Sequence, residues 1–131
     1  MCKKETIIET IRKMGYHPEQ KEEDNLITFR YQLKTILVVA DPDDESFFLV
    51  MLPRFHHLEE GTELQVLATC NLLTRGMKMI KVFVERDHED VTASCEFIAD
   101  DERALEQNLQ RALDVLGSIR RVFRHDLQEL L

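Results

Sequence analysis

Two segments in the first half of this chain are apolar at every residue, and they constrain what it can become more than anything else in it. Over residues 36–40, Ile36, Val38 and Ala40 fall on one side of an extended backbone and Leu37 and Val39 on the other. Over 47–52, Phe47, Leu49 and Met51 oppose Phe48, Val50 and Leu52. Short runs rich in β-branched and aromatic residues, separated by turn formers, read as strands. An antiparallel sheet with one wet face alternates apolar with polar residues, so strands apolar on both sides call for cover on both.

The remaining elements follow from periodicity. Ile7, Ile8, Ile11 and Met14 mark one face of a first helix, stopped by Gly15. Residues 16–24 form a polar connection holding Pro18, Glu22, Glu23 and Asp24. Ile27, Phe29 and Tyr31 alternate with Leu26, Thr28 and Arg30 as a strand with one buried face. Asp41-Pro42-Asp43-Asp44 is a turn between the two apolar strands, and Pro53 ends the second of them. A second helix starts near Thr62, with Gln65 placed for a reciprocal capping box and Gly76 just past its end. Leu64, Leu67, Ala68, Asn71 and Leu72 share one of its sides. Residues 79–85 and 91–98 are two further strands, joined by Arg86-Asp87-His88-Glu89-Asp90. Asp100 or Asp101 opens a long last helix carrying Leu105, Leu109, Ala112, Leu113, Leu116, Ile119, Val122 and Phe123. Its acidic start and its arginines 120, 121 and 124 complement the helix dipole. The order α-β-β-β-α-β-β-α predicts a single α+β domain over 1–131, built on an antiparallel sheet of about five strands.

In that arrangement the first and last helices cover one face of the sheet, and the second helix is too short to span the other. Part of the second face is therefore expected to be closed by a second protomer or a bound partner. The candidate residues are Leu37 and Val39 on the second strand, Phe48 and Val50 on the third, Phe55 in the loop beyond it, Leu64 and Leu67 on the second helix, and Met79 and Phe83 on the fourth strand. The alternative is that the 55–61 loop and the second helix suffice.

Composition narrows the partners. The 131 residues hold 25 acidic and 17 basic side chains, a net charge of −8, which argues against nucleic acid as a partner. No apolar run approaches the about 20 residues of a membrane span, and Met1-Cys2-Lys3-Lys4-Glu5 carries no signal-peptide core. Cys2, Cys70 and Cys95 are odd in number and far apart, which suits reduced thiols and a cytoplasmic protein.

No constellation for catalysis emerges. His56-His57-x-Glu59-Glu60 lacks the i, i+4 histidine spacing of a helical zinc site, and neighbouring histidines point in different directions. Cys70, Cys95 and His88 include no C-x-x-C pair, and Ser46, Ser94 and Ser118 sit in no nucleophile elbow. The glycines at 15, 61, 76 and 117 form no phosphate loop. Arg120-Arg121-x-x-Arg124-His125 has the charge to hold an anion, but a helix C-terminus accounts for it. The chain reads as non-enzymatic, with no cofactor and no metal.

The element order, the two-faced apolar sheet and the long final helix resemble the type III secretion chaperone-like fold. Within it, Thr69-Cys70-Asn71-Leu72-Leu73-Thr74-Arg75-Gly76 followed by Met79-Ile80-Lys81-Val82-Phe83-Val84 resembles the YbjN-type family, with the usual aromatic-rich stretch reduced to Phe83. The resemblance implies a cytoplasmic homodimer without a cofactor that presents an apolar surface to a protein segment, in a family labelled as sensory transduction regulators. It also implies a structural role for Asn71, whose amide would tie the helix end to a neighbouring loop. Two functional classes follow: a chaperone-like module holding a client protein or peptide, or a small-molecule or regulatory sensor domain.

Overall fold

The central strands find only one of their two covers among the helices. The computed structural model describes residues 3–20 and 25–131, so Cys2 and the acidic Glu22, Glu23 and Asp24 lie outside the described residues. The elements are α1 (Lys3–Lys13), β1 (Glu19–Gln20), β2 (Leu26–Tyr31), β3 (Lys34–Val39), β4 (Phe47–His57), α2 (Glu63–Gly76), β5 (Ile80–Val84), β6 (Asp90–Ile98) and α3 (Glu102–Leu130). All strands pair antiparallel in one sheet of order β1-β2-β3-β4-β6-β5. The five expected strands are present. The sixth, β1, is a two-residue edge within the polar connection.

Register divides the apolar residues between the faces. Ile27, Val38, Val50, Cys95 and Ile80 stand in one row across five strands, and this face is the core. Leu109, Leu113, Leu116, Ile119 and Phe123 of α3 are each at most 1% exposed, and Ile7 and Ile11 of α1 join them. The second helix packs here too: α2 lies against α3 and β5 and buries Val66, Thr69, Cys70 and Leu73. The side that holds Leu64, Leu67, Ala68, Asn71 and Leu72 faces outward. All three helices thus share one face, which corrects the division of cover expected from the pattern.

Local chemistry explains where the elements differ from expectation. Pro53 does not end its strand. It sits in a bulge between Leu52 and His56, where the ladder makes no demand for its missing N–H. The bulge puts Arg54 at φ +47° and turns Phe55 into the core, edge-on to Phe123 with ring centroids 5.4 Å apart. Thr62 makes no capping box. Its hydroxyl donates to the Glu59 carbonyl at 2.6 Å, and Gln65 Oε1 is buried without a partner. Gly76 is the last helical residue of α2, and the Met77 amide closes the end on the Leu73 carbonyl. Gly15 takes the left-handed conformation expected of it, φ +96°. At the start of α3 the Asp101 carboxylate accepts from the Ala104 amide at 2.7 Å.

Two side chains tie the layers together. Thr74 accepts a hydrogen bond from the Val82 amide at 2.9 Å and donates to the Val82 carbonyl at 3.2 Å, so α2 satisfies the middle of the outer edge of β5. Lys3 donates to the carbonyls of Asp41, Asp44 and Phe47 and lies 4.7 Å from the centre of the Phe48 ring, holding α1 to the β3–β4 turn.

The β2–β3 hairpin turns through Gln32 and Leu33, both left-handed at φ +49° and +66°. Gly117 of α3 admits this hairpin closely, since a Cβ there would stand 3.1 Å from Gln32 Oε1 and 3.2 Å from the Tyr31 ring. A two-residue turn of this hand prefers Asn-Gly, and a leucine at φ +66° costs about 1–2 kcal/mol. Leu33 is 91% exposed, so it recovers little of that by burial. Leu33→Gly is accordingly expected to stabilise the fold by about 1 kcal/mol in urea denaturation; a loss of stability would show that the Leu33 side chain holds the turn.

Candidate functional site

The face of the sheet turned away from the helices carries the apolar half of β3 and β4 that the core does not use. Leu26, Val39 and Leu49 stand side by side across β2, β3 and β4. Thr28, Leu37 and Met51 form the next row, which runs on to Ser94 and Lys81, and Phe47 lies beside Ile98. Leu26, Leu37, Val39, Phe47, Leu49 and Met51 are half-buried, and Ile98 is 67% exposed. None of these seven packs against the core cluster. Their cover comes from one another across the strands, because no helix lies over them among the described residues. The Lys81–Glu96 ion pair, 2.6 Å, crosses the β5 end of this face. At the other end a cleft of about 210 Å³ opens between Glu19, Leu26, Thr28 and Leu37.

A second apolar strip runs along the outside of α2. Leu64, Leu67 and Leu72 are 77%, 46% and 48% exposed, with Ala68 and Asn71 exposed between them. The only charged residues of this helix are Glu63 in its first turn and Arg75 in its last.

The residues singled out from sequence therefore separate. Leu37 and Val39 lie on the open sheet face, with half-buried Phe83 opposite Thr92 on the same side, and Leu64 and Leu67 lie on the outer strip of α2. Phe48, Val50 and Phe55 are 4%, 0% and 8% exposed and belong to the core, on the far side of the sheet from Leu37. Register is the reason: Leu37 pairs with Met51 and Val39 with Leu49, so the surface set of β4 is Phe47, Leu49 and Met51. Met79 precedes β5 at φ +71° and packs on the core instead of standing beside Phe83. Asn71 is exposed, and its side chain makes no hydrogen bond to another described residue; Thr74 makes the tie instead. Leu26, Phe47, Leu49, Met51 and Ile98 were missed, and polar Thr28, Arg30, Ser94 and Glu96 at the same parity were the signal that marks this side.

The polar candidates are dispersed. His56 and His57 point to opposite sides of β4: the His56 ring lies 4.9 Å from Phe123, while His57 Nδ1 is 3.2 Å from Asp90 Oδ1. Cys70 and Cys95 are buried, and burial pushes their thiols up to about 11 and about 12, so neither is a ready nucleophile. Asp87, Glu89 and Asp90 converge at the β5–β6 turn. The cation there is Arg54, whose Nη1 donates to Asp87 at 2.9 Å and to Asp90 at 2.8 Å.

The helices thus seal one face of an antiparallel sheet and leave a dense apolar surface on the other, in a small α+β domain. The chain belongs to the YbjN family, described as "Putative bacterial sensory transduction regulator", which matches residues 3–129. It is similar to the crystal structure of YbjN, "a putative transcription regulator from E. coli", at 8% identity over 89% of this chain and 91% of that one, with a TM-score of 0.64. It is also similar to an uncharacterized protein from Methanothermobacter thermautotrophicus, at 14% identity over 92% and 99% of the two chains, TM-score 0.51. At these identities the likeness is one of fold. No curated protein matches the chain. Among the described residues no helix is long and apolar enough to cross a membrane.

The Arg54 cluster sets an acid response. The Glu89 amide and Arg54 hold the Asp87 carboxyl below its ordinary 3.8, and hydrogen bonding to Arg54 does the same for Asp90. Folded carboxyls with lowered pKa contribute stability that is complete above the unfolded value and lost as pH falls through the folded one. Arg54→Met should therefore be less stable than wild type by a constant amount above about pH 5, with the gap closing below about pH 4 in denaturation measured across that range. A gap that stays constant into acid would mean that the two pairs carry none of it.

Proposed function

We propose that this protein is a non-enzymatic protein-binding module, a chaperone-like cytoplasmic homodimer that offers its open sheet face to an apolar segment of a client protein. The observation that carries this reading is the seven-residue apolar surface on Leu26, Leu37, Val39, Phe47, Leu49, Met51 and Ile98, over which no helix packs. Contiguous apolar surface on a sheet is the feature that extended or amphipathic client segments recognise, with alternate side chains taking shallow pockets between the strands. The cleft beside Leu37 is one such pocket.

The outer strip of α2 suits self-association. Two copies of α2 packed antiparallel about a twofold axis bring Leu64 of each towards Leu72 of the other, with small Ala68 near the crossing. The same pairing sets Glu63, which also meets His88 of its own chain, towards Arg75 at both ends, so the strip is complementary to itself in charge. Burial of the Cys70 and Cys95 thiols, with the raised pKa that it brings, weighs against thiol chemistry at either position.

The two surfaces are separable by mutation. Sedimentation equilibrium is expected to show a dimer for wild type, a shift to monomer for Leu67→Glu by at least about tenfold in dissociation constant, and an unchanged dimer for Leu37→Glu. In the same proteins Leu37→Glu, but not Leu67→Glu, is expected to weaken binding of apolar-anchored peptides selected from a library. A monomeric wild type, or peptides that bind Leu37→Glu as well as wild type, would overturn the respective half of the reading.

A further inference from the structure

We propose that the chain also binds a small organic oxyanion, a phosphate monoester or a carboxylate, in the cavity where His56 at the end of β4 meets the last third of α3 and the start of α2. This goes beyond the protein-binding reading, and none of the residues that line the cavity belongs to either surface described above. The starting point is a charge that the fold leaves unexplained. From sequence, Arg120, Arg121 and Arg124 are accounted for by a helix C-terminus, but α3 continues to Leu130 and its last turn contains no basic residue. The dipole of α3 therefore gives these arginines no reason to be where they are, since its effect fades within the last turn. Among the described residues neither Arg120 nor Arg124 has a carboxylate within ion-pair distance, in a chain of net charge −8.

Arg124 lines a cavity of about 280 Å³ together with His56, Glu59, Gln128, Leu127 and Leu131. This is just under the volume range of common small-molecule sites, which sets the ligand as a small one. His56 is held against Phe123, and its burial, with Arg124 and more weakly His57 and Arg120 acting against Glu59, keeps its pKa below the ordinary value. A neutral imidazole still supplies one N–H donor, and Arg124 supplies the charge.

The third contribution comes from α2. Its N-cap residue Thr62 lines the same cavity but spends its hydroxyl on the Glu59 carbonyl, so no side chain caps the first-turn amides. Glu63, the acidic residue of that turn, is engaged with His88 at 3.0 Å. An uncapped helix N-terminus, an unpaired arginine and an imidazole donor around one cavity are the elements of an oxyanion site. Leu127 and Leu131 give the organic part of the ligand an apolar wall, and Glu59 places an acidic side chain on the rim.

The test is a titration of the His56 ring resonances by NMR with phenyl phosphate and, separately, benzoate. Saturable movement of the His56 signals in the millimolar range or tighter is expected with one or both, and the tighter probe assigns the oxyanion. Arg124→Gln is expected to weaken the binding about tenfold or more, Glu59→Gln to strengthen it, and Arg121→Gln, which removes the same charge from the same helix outside the cavity, to leave it within about twofold. Since Arg124 is exposed, the variant folds and its spectrum reports this directly. A His56 signal that stays still across the millimolar range with both probes, or an equal loss in Arg121→Gln and Arg124→Gln, would overturn the site.

Discussion

The seating of α3 on the sheet is the constraint on which the rest of this structure depends. Leu105, Leu109, Ala112, Leu113, Leu116, Ile119, Phe123 and Leu127 form one buried stripe along a helix of 29 residues that lies over β4 and β6. Each large member of that stripe contributes roughly 1.5–3 kcal/mol by leaving water. α1 and α2 then pack against α3 on either side, so the helix decides which sheet face is sealed and how far the seal extends. Gly117 lets the β2–β3 hairpin approach it, and Phe123 receives both Phe55 and His56.

The cost of gathering three helices on one face is that the other has none. β3 and β4 are apolar on both sides, and their second sides remain at the surface as a continuous patch bounded by Arg30, Lys81 and Glu96. Polar residues keep that patch from running to the sheet edges, and Thr74 caps the β5 edge at Val82. Contiguous apolar surface of this kind is the observation on which the proposed protein-binding role rests.

The fold was readable because its periods are long and consistent. The helix stripes of α1 and α3, the alternation in β2 and the capping Asp101 all agree with the structure. The assignment of β3 was also readable: the two-residue turn at Gln32 and Leu33 pairs Arg30 with Thr35, which carries the polar parity of β2 over to Leu37 and Val39. The next connection, over residues 40–46, is long enough to permit either parity. Nothing local therefore told Phe48 and Val50 from Leu49 and Met51, and the wrong set was expected at the surface. For α2 the leucines were conspicuous, but Val66, Thr69, Cys70 and Leu73 pack inward because the space beside α3 and β5 takes small and branched side chains. Pro53 looked like a strand end because a bulge with a left-handed arginine leaves no mark in sequence. The cavity at His56 was hidden by the same extension of α3 that removes the dipole as an account of its arginines.

The most direct measurement of the central claim is methyl NMR of the protein with a neutral, soluble paramagnetic agent. The methyl groups of Leu37, Val39 and Leu49 should be strongly relaxed by the agent, while those of Ile36, Val38 and Val50, one residue away along the same strands, should be protected. Equal protection of both sets would mean that the second face is already covered within the chain, and the account of an open sheet would be contradicted.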